Sequence, residues 1–126
     1  MHNQPSQAEL IAAVKHFIDE TAKPQLQGHA AFHARVASNV LATLLRDLEA
    51  RTTNDADELA RLQTLLSAPD ETDLGALNQA LCDAIQARDL TAETPALLAH
   101  LKATAIAQVQ VDQPKYSGLR TALKNS

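Results

Sequence analysis

Apolar residues recur along the chain at the three- and four-residue spacing of amphipathic helices. The longest such segment free of Gly and Pro covers residues 29–48, and it is predicted to be the central helix of the fold. One face of this helix carries the residues expected to form the core: Val36, Ala37, Val40, Leu41, Leu44 and Leu48. The opposite face gathers Arg35, Asn39 and Arg46, so the helix has two chemically distinct sides.

The flanking segments begin with helix-start signals. Ser6 and Glu9 have the spacing of a capping box, and the first helix is expected to end before Pro24. A polar break at 52–54 is predicted to separate the central helix from a third one. Asp73 caps a fourth helix, and Thr94 opens a fifth with its buried side at Leu97, Leu98, Leu101, Ala105 and Val109.

These elements predict an all-α fold, a compact bundle of five main helices plus a short C-terminal helix over 119–124. Strand patterns are nearly absent, and the 126 residues suit a single helical domain over 1–126.

Charge and composition exclude several functions. The net charge is −4, and no helix face clusters Lys and Arg, so nucleic-acid binding is not expected. No apolar run approaches the roughly 20 residues that span a bilayer, and the polar N-terminus does not read as a signal peptide, so we expect a cytoplasmic protein that does not bind membranes. Cys82 is the only cysteine and is interpreted as a small core residue.

His29 and His33 are the weak candidates for a metal site. They stand four residues apart on the apolar side of the central helix, a spacing at which two imidazoles reach one ion. Ala30 stands where a His-Glu-x-x-His motif has its glutamate, and His100 is placed on the side of its helix away from Leu98 and Leu101. The favoured interpretation is therefore two hydrogen-bonded histidines at a helix start, with no metal and no cofactor.

Arg35 and Asn39 are the candidates for binding. Arg and amide side chains suit carboxylates and phosphates, although a solvated helix face is the simpler interpretation of the same stripe. No catalytic motif accompanies them: phosphate-binding glycine loops, Ser-x-x-Lys and Gly-x-Ser-x-Gly are all absent from the sequence. The sequence gives little support for an enzyme.

Several segments together resemble a known family. They are Phe32-His-Ala-Arg-Val-Ala-Ser-Asn39, Leu77-Asn-Gln-Ala-Leu-Cys82, Pro95-Ala-Leu-Leu-Ala-His-Leu101 and Asp112-Gln-Pro-Lys-Tyr-Ser117. The chain resembles, from about residue 5 to residue 123, a bacterial family of helical proteins of unknown function. Its members are often encoded beside aminoglycoside- or choline-kinase-like phosphotransferases and acyl-CoA dehydrogenases. The resemblance implies an accessory role and draws attention to His33, Arg35, Asn39, Pro114 and Tyr116.

Two main functions remain open. The first is an accessory or interaction protein that supports a phosphotransferase-type partner or acyl-CoA metabolism. The second is a small-molecule or acyl-group binding protein with a pocket near Arg35 and Asn39; an enzyme or metal protein comes last. The stripe opposite the core must meet water or another surface, so we also expect a homodimer with Arg35 and Asn39 at or near its interface.

Overall fold

A computed structural model of the chain describes residues 4–125. Within that range there are five α-helices and no strand, which confirms the predicted all-α class. The helices are α1 (Gln7–Phe17), α2 (Gly28–Leu65), α3 (Leu74–Gln86), α4 (Pro95–Asp112) and α5 (Ser117–Lys124). None of these helices has both the length and the apolar character needed to cross a membrane.

The chain divides into two compact units, unit 1 (Met1–Ala50) and unit 2 (Arg51–Ser126). Each unit is described separately below. Unit 1 contains α1 and the first part of α2, and unit 2 contains the rest of α2 with α3, α4 and α5. The expectation of a single domain over 1–126 stays a prediction.

The start of α1 follows the predicted capping box. The Ser6 hydroxyl accepts from the amide of Glu9 at 3.1 Å, and the Glu9 carboxylate accepts from the amide of Ser6 at 3.3 Å. After α1 the chain forms a π-helical turn (Ile18–Ala22) and a 3₁₀ turn (Lys23–Gln25) that contains Pro24. Gly28 then begins α2 with φ at +60°, a conformation that a residue without a Cβ adopts at no steric cost.

The break predicted at 52–54 is wrong. α2 continues through Thr52, Thr53 and Asn54 as one helix of 38 residues, so the expected central and third helices are a single element. Thr and Asn are mediocre helix formers, but each costs only a few tenths of a kcal/mol relative to good ones. Without a Gly or Pro in this stretch, continuing the hydrogen-bond ladder costs less than opening a new pair of helix ends.

The core of unit 2 is a cluster of leucines. Leu62 from α2, Leu77 and Leu81 from α3 and Leu97 from α4 are all buried, with Leu62 completely inaccessible. Asp73 caps α3 as predicted, because its Oδ1 accepts from the amides two and three residues further on at 2.9 and 3.4 Å. The cap fixes where α3 begins, and the leucines then fall on its inner face.

Four residues predicted to be buried in unit 2 are exposed: Cys82, Leu98, Leu101 and Ala105. Leu98 and Leu101 keep 50% and 44% of their surface, so the predicted inner face of α4 is rotated from the real one. Cys82 is exposed as well, one position beyond the buried Leu81, which corrects its interpretation as a core residue.

Candidate functional site

The inner face of α2 in unit 1 consists of small residues and leucines at alternating spacings of three and four. Its half-buried or buried members are Ala31, Ala34, Ser38, Leu41, Leu45 and Leu48. On α1 and the turns after it, the half-buried positions repeat in the same way: Ala8, Ile11, Lys15, Ile18 and Ala22. This is the spacing of two helices that pack along a common seam, and small side chains let such helices approach closely.

Ser38 lies on the side of α2 that packs in unit 1. It retains 4% of its surface and is the most buried residue described in unit 1. Its hydroxyl donates to Oδ1 of Asp19 in the π-helical turn, while Nζ of Lys15 donates to Oδ2 of the same carboxylate at 2.7 Å. The hydrogen bond from Lys15 and then that from Ser38 hold the pKa of the Asp19 carboxyl below its usual range.

The predicted core face of α2 therefore points largely outward. Val36, Val40 and Leu44 keep 43%, 53% and 44% of their surface, and Ala37 is exposed too, so the prediction that these residues form the core was wrong. Only Leu41 and Leu48 of that predicted set are half-buried. The physical reason is that α2 is apolar on two sides, and the side with the smaller residues and Ser38 is the one that packs.

We call the exposed apolar stripe of α2 the outer face; its residues are Phe32, Val36, Val40 and Leu44. Leu10, Val14 and Phe17 of α1 are exposed as well, but the segment that contains α1 contacts the inner side of α2, so they are not part of this face. At about 100° per residue, the α2 members lie roughly opposite the inner face. An apolar stripe on the solvent side of a helix is unusual, because solvent-facing helix surfaces are normally polar.

Three of the predicted site residues lie on or beside this outer face. His33, Arg35 and Asn39 are all exposed on α2. By helical position, His33 falls within the apolar stripe, while Arg35 and Asn39 border it. The His33 ring meets the Phe32 ring edge-on, with centroids 5.6 Å apart, a favourable aromatic geometry. The structure thus brings these three candidates onto one helix surface.

The histidine pair is exposed in unit 1. His29 and His33 both face solvent, and His33 makes the ring contact described above. Among residues 4–125 there is no group of three or more His, Cys, Asp or Glu side chains placed to hold a metal ion. The metal interpretation therefore gains no further ligand from the described part of the chain.

Tyr116 belongs to unit 2, where it precedes α5. It keeps 60% of its surface, and its ring lies against Gly118: a Cβ at that glycine would stand 2.5 Å from Cε1 of the ring. Gly118 therefore permits the position of the ring. Tyr116 lies in a different unit from His33, Arg35 and Asn39, so it is treated as a separate candidate.

Unit 2 contains a surface cavity of about 670 Å³ that is open to solvent and is lined by α2, α4 and Leu90 of the segment before α4. Its lining is mostly apolar, with Arg61, Thr64, Thr94 and His100 as the polar members. Volumes of several hundred Å³ with few polar groups are typical of small-molecule sites. Arg35 and Asn39 do not line this cavity, so the pocket predicted near them stays a prediction.

Arg61 and His100 form the polar centre of the cavity wall. Nε of Arg61 donates to Nδ1 of His100 at 3.3 Å, and Nη2 donates to the Thr104 hydroxyl at 3.2 Å. Burial of the imidazole and then the positive charge of Arg61 lower the pKa of His100, while Glu58 opposes the shift. His100 is thus held as a neutral imidazole whose Nδ1 is an acceptor.

His100 lies away from Leu98 and Leu101, as its helical position indicated, but the buried face of α4 is the one that carries His100 and not the one predicted from the two leucines. His100 retains only 4% of its surface. It shares its face with Leu97, Thr104 and Val111, each of which is buried or half-buried. The spacing of three, seven and fourteen residues from Leu97 was the signal available in the sequence. This spacing was outweighed in the sequence analysis because Leu98 and Leu101 make the neighbouring face of α4 more hydrophobic.

The fold and these surfaces define a small all-α protein with an apolar face open to solvent and a helix-lined cavity. The chain belongs to the family described as a domain of unknown function (DUF6285), whose model matches residues 24–116. That range includes α2, α3, α4 and all of the candidate residues discussed above. Neither the curated proteins nor the solved structures include a significant match.

Proposed function

We propose that this chain is a protein-interaction module that binds through the outer face of unit 1. The observation that carries the proposal is the exposure of four large apolar side chains along one side of α2, each keeping 43–53% of its surface. Soluble monomers rarely expose apolar patches of more than a few hundred Å², and larger ones mark interaction sites. Burial of this face against a partner would recover the hydrophobic free energy that exposure forfeits.

The residues around the outer face support a protein partner. Interface cores are depleted of charge and enriched in aromatic residues, with arginine common among the strongest contacts. Between residues 29 and 44 the only charged residue is Arg35, if histidine is counted as neutral. Phe32, Val36 and Val40 then supply the apolar centre, and Arg35 and Asn39 supply a polar border.

A second copy of the chain is the partner that we favour. Residues 1–50 carry five acids and four bases, so two copies of unit 1 meet without strong repulsion. An exposed helical stripe can pair with its own copy about a two-fold axis, which is the commonest symmetry of soluble assemblies. Arg35 and Asn39 then lie at the rim of the interface.

The family resemblance adds a second candidate partner, a phosphotransferase-type protein. An accessory role in acyl-CoA metabolism, a bacterial origin and a cytoplasmic location have the same basis, and all of these stay predictions. Binding of an acyl group or another small molecule near Arg35 and Asn39 is the alternative function for the same surface.

Sedimentation equilibrium at micromolar concentration tests the homodimer. We expect a dimer mass for the unaltered chain and a monomer mass for Val36→Asp, because a carboxylate would be buried without a partner at the centre of the interface. Leu101→Asp is the matched control: Leu101 is a helical residue of similar exposure, at 44% against 43%, in unit 2. A monomeric unaltered chain contradicts self-association, and a dimer that survives Val36→Asp contradicts the assigned surface.

A further inference from the structure

We propose that the cavity of unit 2 binds a small organic carboxylate with an apolar body, with Arg61 holding the carboxylate group. This site is separate from the outer face of unit 1, and every residue that forms it belongs to unit 2. The proposal rests on the shape of the cavity, the partners of Arg61 and His100, and the start of α4.

The walls of the cavity suit an apolar ligand body. Five of the nine lining residues are aliphatic: Ala60, Leu65, Leu90, Ala96 and Ala99. Alanine at three of these positions leaves the space open between the helices. The volume of about 670 Å³ exceeds what one or two waters occupy and accommodates a ligand with a short hydrocarbon chain.

Arg61 supplies a cation that makes no hydrogen bond to a carboxylate among the described residues, although Glu58 is close enough for its charge to act on the neighbouring His100. Arg61 is half-buried, and its two hydrogen bonds go to the neutral acceptors His100 Nδ1 and Thr104 Oγ1. No carboxylate pairs with it among residues 4–125. Because a guanidinium has five N–H donors, three are left for a ligand. The two existing bonds hold the group in place, which reduces the entropy lost when a carboxylate binds.

His100 contributes a second donor. Since its Nδ1 accepts from Arg61, the proton of the neutral ring is on Nε2. An Nε2–H donor and a guanidinium that share a hydrogen bond form a connected pair of donors on one cavity wall. A neutral carbonyl ligand would satisfy the imidazole but not the charge of Arg61, so the pair favours an anion.

The N-terminus of α4 adds to the positive potential. Thr94 is the N-cap residue, yet its hydroxyl accepts from the amide of Thr91 at 3.1 Å and does not cap α4. Pro95 at the first helical position has no N–H. Thr94 and Ala96 both line the cavity, so the positive end of the α4 dipole lies at its edge.

The balance of one cation against mostly apolar walls favours a carboxylate over a phosphate. A phosphate at neutral pH carries more charge than Arg61 neutralises, and the aliphatic walls offer it no hydrogen-bond donor. A carboxylate matches the fork of the guanidinium, and its hydrocarbon body replaces water along the alanines and leucines.

Isothermal titration calorimetry with octanoate tests the site. We expect octanoate to bind, with octanamide and acetate each at least tenfold weaker, because the first lacks the charge and the second lacks the apolar body. Arg61→Gln is expected to weaken octanoate at least tenfold. Arg120→Gln, which changes an exposed arginine of α5, is the matched control and should bind as the unaltered chain does. Circular dichroism verifies that each variant is folded.

The outcomes that overturn the proposal are distinct. If octanamide binds as tightly as octanoate, the cavity recognises only apolar surface, and if inorganic phosphate displaces octanoate, the site is a general anion site. No octanoate binding, or equal binding by Arg61→Gln, also refutes the assignment. Should Arg61→Gln fail to fold, Ala99→Leu replaces it: this exposed helical position tolerates leucine, and the larger side chain should weaken octanoate binding by occupying part of the space for its hydrocarbon chain. Unchanged affinity in Ala99→Leu would refute the location.

Discussion

Truncation of Leu62 is the most direct test of how unit 2 is held together. Leu62 is completely buried in the leucine cluster and is adjacent in sequence to Arg61 on the cavity wall. Leu62→Ala removes three buried carbons, each contributing about 0.8 kcal/mol of transfer free energy. The cavity left behind adds to this loss, so the free energy of unfolding should fall by about 3–4 kcal/mol.

The assay is urea denaturation followed by tyrosine fluorescence. Tyr116 is the only tyrosine and the chain has no tryptophan, so the signal reports on unit 2 even if the two units unfold separately. Leu98→Ala is the control, since it makes the same change at a site that keeps 50% of its surface, and it should cost less than about 1 kcal/mol. If Leu62→Ala costs no more than Leu98→Ala, Leu62 is not at the centre of the core.

Two further predictions concern unit 2 and use the same assay. Asp73→Ala removes the two hydrogen bonds that cap α3 and should cost about 1 kcal/mol, while Asp70→Ala in the preceding turn should cost almost nothing; equal losses would contradict the cap. The pKa of His100 is lowered by burial and Arg61 against the opposing Glu58, so below about pH 6.5 the unfolded chain takes up a proton first. The contribution of His100 to the free energy of unfolding should therefore be fully present above that pH. It should decrease as the pH is lowered, until the pH passes the lowered pKa of the folded state. His100→Gln keeps an acceptor for Arg61 and should flatten this decline. An unchanged pH profile in that variant would show that another group is responsible.

Features that depend on local interactions were predictable from the sequence. Helix propensity and apolar period identified the all-α class, and the capping box at Ser6 and the cap at Asp73 formed where their spacing indicated. These features involve residues within four positions of each other, so the partners of each interaction are visible in the sequence. The same local reasoning gave too much weight to the polar residues at 52–54. Their cap signal predicted a break, but α2 continues through them as one helix that contributes residues to both units.

The candidate site depended on contacts between distant segments. Hydrophobicity alone placed Val36, Val40 and Leu44 inside, but α2 has two apolar sides, and the hydrogen bond from Ser38 to Asp19, 19 residues away, accompanies the packing of the other one. Likewise, His100 is on the packed face of α4, where Arg61, 39 residues earlier, donates to it. Period and composition measure how apolar a face is, whereas side-chain size and long-range hydrogen bonds decide which face packs, and these become defined only when the helices meet.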